Sequence, residues 1–170
     1  MIGEATGQSW LRTDPYEYSA RVSRRDVEMS GALILMVLMC RAWNKASGHL
    51  LAGFHAETLV LNHFASYSKR FSLPSMMAGF FDELAGYVAN PCVDPTSGNR
   101  IDEYLDDGAP SKRALVLARA QQTAAVARKA YALESVSAEQ ALAEWSTIFG
   151  ASFSTGPLSN IGEAEEGLIE

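Results

Sequence analysis

Two basic side chains, Arg41 and Lys45, follow a long apolar run and stand four residues apart. On a helix, this spacing places the two side chains one turn apart on the same face. A guanidinium and an ammonium group on one face can bind phosphate oxygens together, the guanidinium in a bidentate manner. Two cations near the end of a helix also interact favourably with the helix dipole. At this point the sequence is compatible with both interpretations, a phosphate clamp and a dipole-stabilised helix end.

The other titratable residues give weaker indications of a site. His55 and His63 stand eight residues apart, and no His pair at i, i+4 spacing or nearby Cys completes a set of zinc ligands. We therefore predict no metal centre. Four acidic residues lie close together in a stretch that contains Gly and Pro: Asp102, Glu103, Asp106 and Asp107. For these we predict a solvated helix cap and turn rather than a metal site.

The overall composition is that of one compact domain with a hydrophobic core. Of the 170 residues, 48% are hydrophobic and 20% are charged, and the net charge is −6, which argues against general binding to a nucleic-acid backbone. Cys40 and Cys92 are far apart and indicate no disulfide framework, and Cys40 is expected to be a buried small apolar residue. No signal-peptide pattern is visible. The apolar run at residues 32–40 is about half the length that crosses a bilayer, so we predict a cytoplasmic protein without a membrane segment.

The pattern along the chain predicts an all-α fold, a bundle of about five to six helices. Asp14 as N-cap followed by Pro15 starts the first helix, predicted over 16–23, and a long second helix is predicted over 24–45. Further helices are predicted within 50–68, over 74–90, over 111–133 and from a capping box at 137 through 149, with a long connection over 91–110. We divide the chain into an irregular lead-in (1–12), a helical domain (13–153) and an acidic tail (154–170) predicted to be disordered.

The middle of the second predicted helix is apolar on every side, which is typical of a helix that is buried on most sides. If a neighbouring element were missing, part of this surface would be exposed and would favour association with a partner. Seven aromatic residues stand at helical spacings and are predicted to form the core: Trp43, Phe54, Phe64, Phe80, Phe81, Trp145 and Phe149.

Five short motifs occur in a set order along the chain. They are WLRTDP at 10–15, LMCRAWN at 38–44, FHAE at 54–57, DP at 94–95 followed by Asn99, and WSTIFG at 145–150. In this order they resemble the C-terminal helical region of the CD-NTase family, bacterial relatives of oligoadenylate synthetase and cyclic GMP-AMP synthase. The matching structural motif residues are Asp14, Pro15, Trp43, Glu57 and Trp145.

The resemblance implies the helical lobe of a template-independent nucleotidyltransferase, which closes the nucleotide cleft of a separate catalytic sheet. Intact members hold the nucleoside triphosphate with a Gly-Ser turn and two Mg²⁺ with Asp-x-Asp and a third Asp. Neither Gly-Ser nor Asp-x-Asp occurs in this sequence, so no catalytic residue and no cofactor is assigned to the chain, which we expect to be inactive by itself.

Individual family positions imply a small set of roles. Arg41 stands where the family has a lysine that contacts nucleotide phosphates, and Lys45 extends the same wall. Gly53 stands where many members have a phosphate-contacting serine, so that hydroxyl is lost. Glu57 matches a family glutamate to which we assign helix packing and positioning.

The resemblance places the chain in the synthesis of nucleotide signals for anti-phage defence. The implied partner is a catalytic half supplied in trans, or a second copy of the chain, bound through the exposed helical face. The alternative from the sequence is a stand-alone helical protein-interaction module with no nucleotide role.

Overall fold

A computed structural model describes residues 14–67, 71–108, 111–150 and residue 153. The predicted lead-in (1–12) and acidic tail (154–170) lie outside the described residues. Over the described part the chain is all-helical, as predicted, and its α-helices are α1 (Pro15–Glu28), α2 (Ala32–Ala46), α3 (Gly53–His63), α4 (Leu73–Ala89), α5 (Lys112–Leu133) and α6 (Ala138–Phe149). A short 3-10 helix, Glu103–Leu105, interrupts the long connection between α4 and α5.

The bundle is held together mainly along α5. This helix packs lengthwise against α4 and against α6, while α2 packs against α3 and also contacts α1, α4 and α6. The aromatic residues predicted for the core fill the space between these helices: Trp43, Phe64, Phe80, Phe81, Trp145 and Phe149 are buried, and Phe54 is half-buried. The predicted aromatic core is therefore confirmed apart from partial exposure of Phe54.

Side-chain caps fix where several helices begin. The Asp14 carboxylate accepts hydrogen bonds from the backbone N–H groups of Tyr16 and Glu17, both at 3.0 Å, with Pro15 in the first turn. Ser137 caps α6 by accepting from the N–H of Gln140 at 3.3 Å. Each cap satisfies backbone donors that have no partner inside the helix. These two helix starts are confirmed as the sequence predicted them.

The division between the first two helices is different from the prediction. The chain does not break near residue 23 but at 29–31, where Ser30 (φ 54°) and Gly31 (φ 82°) adopt the left-handed conformation. The N–H of Gly31 bonds to the carbonyl of Asp26 at 2.9 Å, closing α1. The Asp26 side chain then accepts from the N–H of Ile34 at 2.9 Å, because the glycine that precedes α2 has no side chain to cap it.

Replacing Gly31 by alanine tests this break. A Cβ at Gly31 would meet no atom within 4 Å, so the cost comes from the positive φ alone, about 1 kcal/mol of unfolding free energy. Gly53→Ala is the matched control, since that Cβ also meets open space and no left-handed backbone is required there. We expect urea denaturation to give a lower midpoint for Gly31→Ala and an unchanged or higher one for Gly53→Ala. Equal midpoints would contradict a strained turn at Gly31.

Candidate functional site

The helix α2 has one buried face and one exposed face. Leu33, Met36, Cys40 and Trp43 are at most 1% exposed and point into the bundle. Ile34, Leu35 and Leu38 are 47%, 45% and 50% exposed. The expectation that this helix is buried on most sides is therefore wrong, because the neighbouring helices cover only one side of it. Its exposed apolar surface is the kind of surface that would favour association with a partner.

The exposed face continues from apolar to basic residues. Ile34, Leu38, Arg41 and Lys45 follow one another at intervals of four, three and four residues, so they lie along one side of the helix. All four are exposed. At 1.5 Å per residue, Leu38 and Lys45 are about 10 Å apart along the helix. We call these four residues together with Leu35 the α2 stripe, which begins apolar and ends with two positive charges.

Arg41 has a partner within the chain. One of its terminal nitrogens bonds to the Glu57 carboxylate of α3. The Arg41 side chain is 56% exposed, so water and salt screen the pair and its net contribution to stability is small. A phosphate group can therefore compete with Glu57 for this guanidinium at little cost. Lys45 forms no ion pair with any residue in the described ranges.

The residues that carry the family resemblance have clear packing roles. The Trp43 indole donates to the Thr123 hydroxyl of α5 at 2.8 Å, and the Asn44 amide exchanges two hydrogen bonds with the backbone of Leu51. Trp145 donates to the Glu134 carboxylate at 2.8 Å and stacks on Phe149. These contacts explain the conformation of the helix ends without a ligand.

The Asp94-Pro95 motif forms a compact loop. The Asp94 carboxylate is buried and accepts from the N–H and hydroxyl of Thr96 and from the hydroxyl of Ser97, at 2.7–2.9 Å. The N–H of Asp94 also donates to the carbonyl of Asn99 at 2.8 Å. Side-chain bonds of this kind stabilise turns in place of a regular ladder. The motif thus shapes the connection between α4 and α5.

Three members of the acidic cluster are exposed, as the sequence predicted, and Asp102 is the exception. Asp102 is fully buried and accepts hydrogen bonds from Arg100 at 2.9 Å and from Arg113 at 2.7 Å, while Asp106 pairs with the same two arginines. Burial alone would raise the pKa of Asp102, but the hydrogen bonds from Arg100 and Arg113 outweigh it and lower this pKa to about 2. Glu103, Asp106 and Asp107 are exposed and match the predicted solvated position, although Asp106 is also paired with the two arginines.

The two histidines of α3 are buried and bound to tyrosines. His55 Nδ1 lies 3.0 Å from the Tyr104 hydroxyl, and His63 lies 2.8 Å from that of Tyr87. Burial lowers the pKa of both imidazoles to about 4, so they are neutral at pH 7. Among the residues that the structure describes, no group of three or more His, Cys, Asp or Glu side chains is arranged to hold a metal ion.

One group of basic residues was not predicted from the sequence to form a site. Arg21, Arg24 and Arg25 of α1 line a cavity of about 300 Å³ against α3. Their spacing in the sequence could have indicated this group. Residues that are three and one positions apart on a helix lie on neighbouring parts of one face. The opposite wall comes from α3 and from Pro95, and only the tertiary fold brings these parts together.

Comparison of the chain with known protein families, with curated proteins and with solved structures found no match. The resemblance to the CD-NTase helical region therefore rests on the five motifs, and it stays a prediction. No helix within the described ranges is long and apolar enough to span a membrane.

Proposed function

We propose that this chain is a non-catalytic helical lobe of a CD-NTase-like nucleotidyltransferase, and that the α2 stripe is the surface it presents to a catalytic partner and its nucleotide. The observation that carries the proposal is the order of residues on the stripe. Three exposed apolar side chains are followed within one to two turns by Arg41 and Lys45. An apolar contact surface beside paired cations suits a lobe that packs on a protein and reaches nucleotide phosphates at its edge.

The contact between Arg41 and Glu57 gives the proposal a specific form. In the isolated chain Glu57 neutralises Arg41 and holds it at the end of the stripe. A triphosphate carries more charge than one carboxylate and can accept two parallel bonds from a guanidinium. We infer that nucleotide binding replaces the bond to Glu57, with Lys45 contributing a second contact from the next turn. The nucleotide signal that such an enzyme would make belongs to anti-phage defence, following the family resemblance.

Isothermal titration of the chain with ATP and GTP, with and without Mg²⁺, tests the role of Arg41. We expect weak, saturable binding that falls about tenfold in Arg41→Ala, since one charge-assisted hydrogen bond contributes roughly 1.5–3 kcal/mol. Glu57→Gln should tighten binding because it removes the competing carboxylate. Arg128→Ala is the matched control, as this exposed arginine of α5 pairs with Asp82 of α4 and not with a residue of the stripe. The absence of binding at millimolar nucleotide, or equal losses in Arg41→Ala and Arg128→Ala, would contradict the nucleotide role.

A second candidate function is favoured by the exposed apolar part of the stripe. Ile34, Leu35 and Leu38 form a contiguous surface whether or not Arg41 meets a phosphate. If the chain binds no nucleotide in the titration above, we propose instead a stand-alone helical module that binds a protein through this surface.

A further inference from the structure

The cavity between α1 and α3 has a strongly basic rim. It has a volume of about 300 Å³ and is lined by the side chains of Arg21, Arg24, Arg25 and Glu28 on α1 and of Asn62 on α3. Three guanidinium groups and one carboxylate leave an excess of two positive charges, in a chain whose net charge is −6. This local cluster of positive charge, in a molecule that is negatively charged as a whole, favours an anionic ligand with about two negative charges.

Arg25 gives this cavity a fixed geometry. Its guanidinium donates to the carbonyls of Phe64 and Tyr67, just beyond the C-terminal end of α3, and to the Glu28 carboxylate at 2.6 Å. Only 14% of its side chain is exposed. These bonds satisfy carbonyls that have no partner inside α3, and they tie α1 to α3. Arg25 therefore positions the two walls and is already committed to protein acceptors.

The remaining donors around the cavity are available to a ligand. Arg24 forms no hydrogen bond or ion pair with any residue of the described ranges, and Arg21 makes only a 3.6 Å contact with Glu17. Asn62 is exposed, and its amide has no partner among the described residues. Two guanidinium groups and an amide facing one cavity can donate several hydrogen bonds to the oxygens of a phosphate.

The cavity also has an apolar wall. Leu61 of α3, Ala65 just beyond its C-terminal end and Pro95 of the connecting loop complete its lining. A purely inorganic anion would leave this wall in contact with water, whereas an organic group attached to the phosphate would cover it. We propose that this cavity is a binding site for a small organic phosphate monoester, with the phosphate held by Arg21, Arg24 and Asn62. This site is separate from the α2 stripe, so it does not depend on the function proposed above.

Titration of the ¹⁵N-labelled chain with phenyl phosphate, inorganic phosphate and phenol, followed by NMR, tests the proposal. We expect saturable shifts in the amides of α1 and α3, with phenyl phosphate binding more tightly than inorganic phosphate and phenol not binding. Arg24→Ala should weaken phenyl phosphate binding about tenfold without changing the fold, because Arg24 has no partner to lose among the residues that the structure describes. Arg128→Ala removes the same charge from another part of the surface and should leave binding unchanged.

Three results would overturn the assignment. Equal binding of inorganic and phenyl phosphate would remove the role of the apolar wall. Equal weakening of phenyl phosphate binding in Arg24→Ala and Arg128→Ala would mean that binding depends only on the net charge of the chain. Shifts confined to residues outside α1, α3 and the loop at Pro95 would place the ligand elsewhere.

Discussion

Arg113→Ala is expected to lower the free energy of unfolding by about 3 kcal/mol. The Arg113 guanidinium donates to the buried Asp102 carboxylate at 2.7 Å and to the carbonyl of Val88, near the end of α4, at 2.6 Å. Removing one partner of a buried ion pair leaves an uncompensated charge, which typically costs 3–5 kcal/mol. We expect the lower end of this range, because Arg100 still donates to Asp102 at 2.9 Å. Urea denaturation followed by circular dichroism measures the loss.

Arg128→Ala is again the matched control for this substitution. The pair between Arg128 and Asp82 involves side chains that are 63% and 44% exposed. Screening by water makes such a surface pair worth less than about 1 kcal/mol. A loss in Arg113→Ala no greater than that in Arg128→Ala would contradict a structural role for the buried network.

The same variant should also change the response to acid. The pKa of Asp102 in the folded chain is about 2, below the ordinary value of 3.8, despite a burial that would raise it. A lowered folded-state pKa contributes stability above about pH 4, and this contribution is lost as the pH falls from 4 to 2. We expect urea denaturation at a series of pH values to show a smaller loss of unfolding free energy between pH 4 and 2 in Arg113→Ala than in the unaltered chain. The reason is that one of the hydrogen bonds that lower the pKa of Asp102 is absent in the variant.

Local sequence signals predicted the helices whose ends depend on neighbouring residues. Asp14 and Pro15 fix the start of α1, and Ser137 and Gly150 fix the two ends of α6. In each case the capping group lies within four residues of the backbone groups that it satisfies. The start of α1 and both ends of α6 therefore followed from short stretches of sequence.

Features that depend on residues far apart were predicted poorly. Asp102 looked like part of a solvated acidic turn because its partner Arg113 lies eleven residues away and meets it only through the fold. The break at Gly31 was missed for a local reason, since the second helix was predicted to run from 24 through this glycine into the apolar run at 32–40. Here the left-handed glycine outweighed an otherwise uninterrupted helical pattern.

The candidate site was predicted in part. Spacing alone placed Arg41 and Lys45 on one face of α2, and both are exposed there. The contact between Arg41 and Glu57 joins residues sixteen apart on two helices, which no local spacing reveals. The exposure of Leu38 likewise depends on which side of α2 the other helices cover, a property of the packing rather than of the pattern.

Trp43→Ala is expected to lower the free energy of unfolding by about 4 kcal/mol. Trp43 is fully buried, packs near the ring of Phe81 on α4 and donates to the Thr123 hydroxyl on α5 at 2.8 Å. Truncating a buried tryptophan removes its transfer free energy and leaves a cavity, which together cost about 3–5 kcal/mol. Trp43→Phe keeps most of the ring volume and should cost less, because Thr123 retains its bond to the Arg119 carbonyl.

Leu35→Ala provides the control on the same helix. The Leu35 side chain is 45% exposed on the α2 stripe, and alanine favours a helix at least as well as leucine, so the isolated chain should lose no more than about 0.5 kcal/mol. The two substitutions together distinguish the two faces of α2. The buried face, with Trp43, stabilises the bundle, and the exposed face, with Leu35, is free to bind a partner. Similar losses of unfolding free energy for Trp43→Ala and Leu35→Ala in urea denaturation would mean that the stripe is packed in the folded chain. The stripe could not then contact the partner proposed for it.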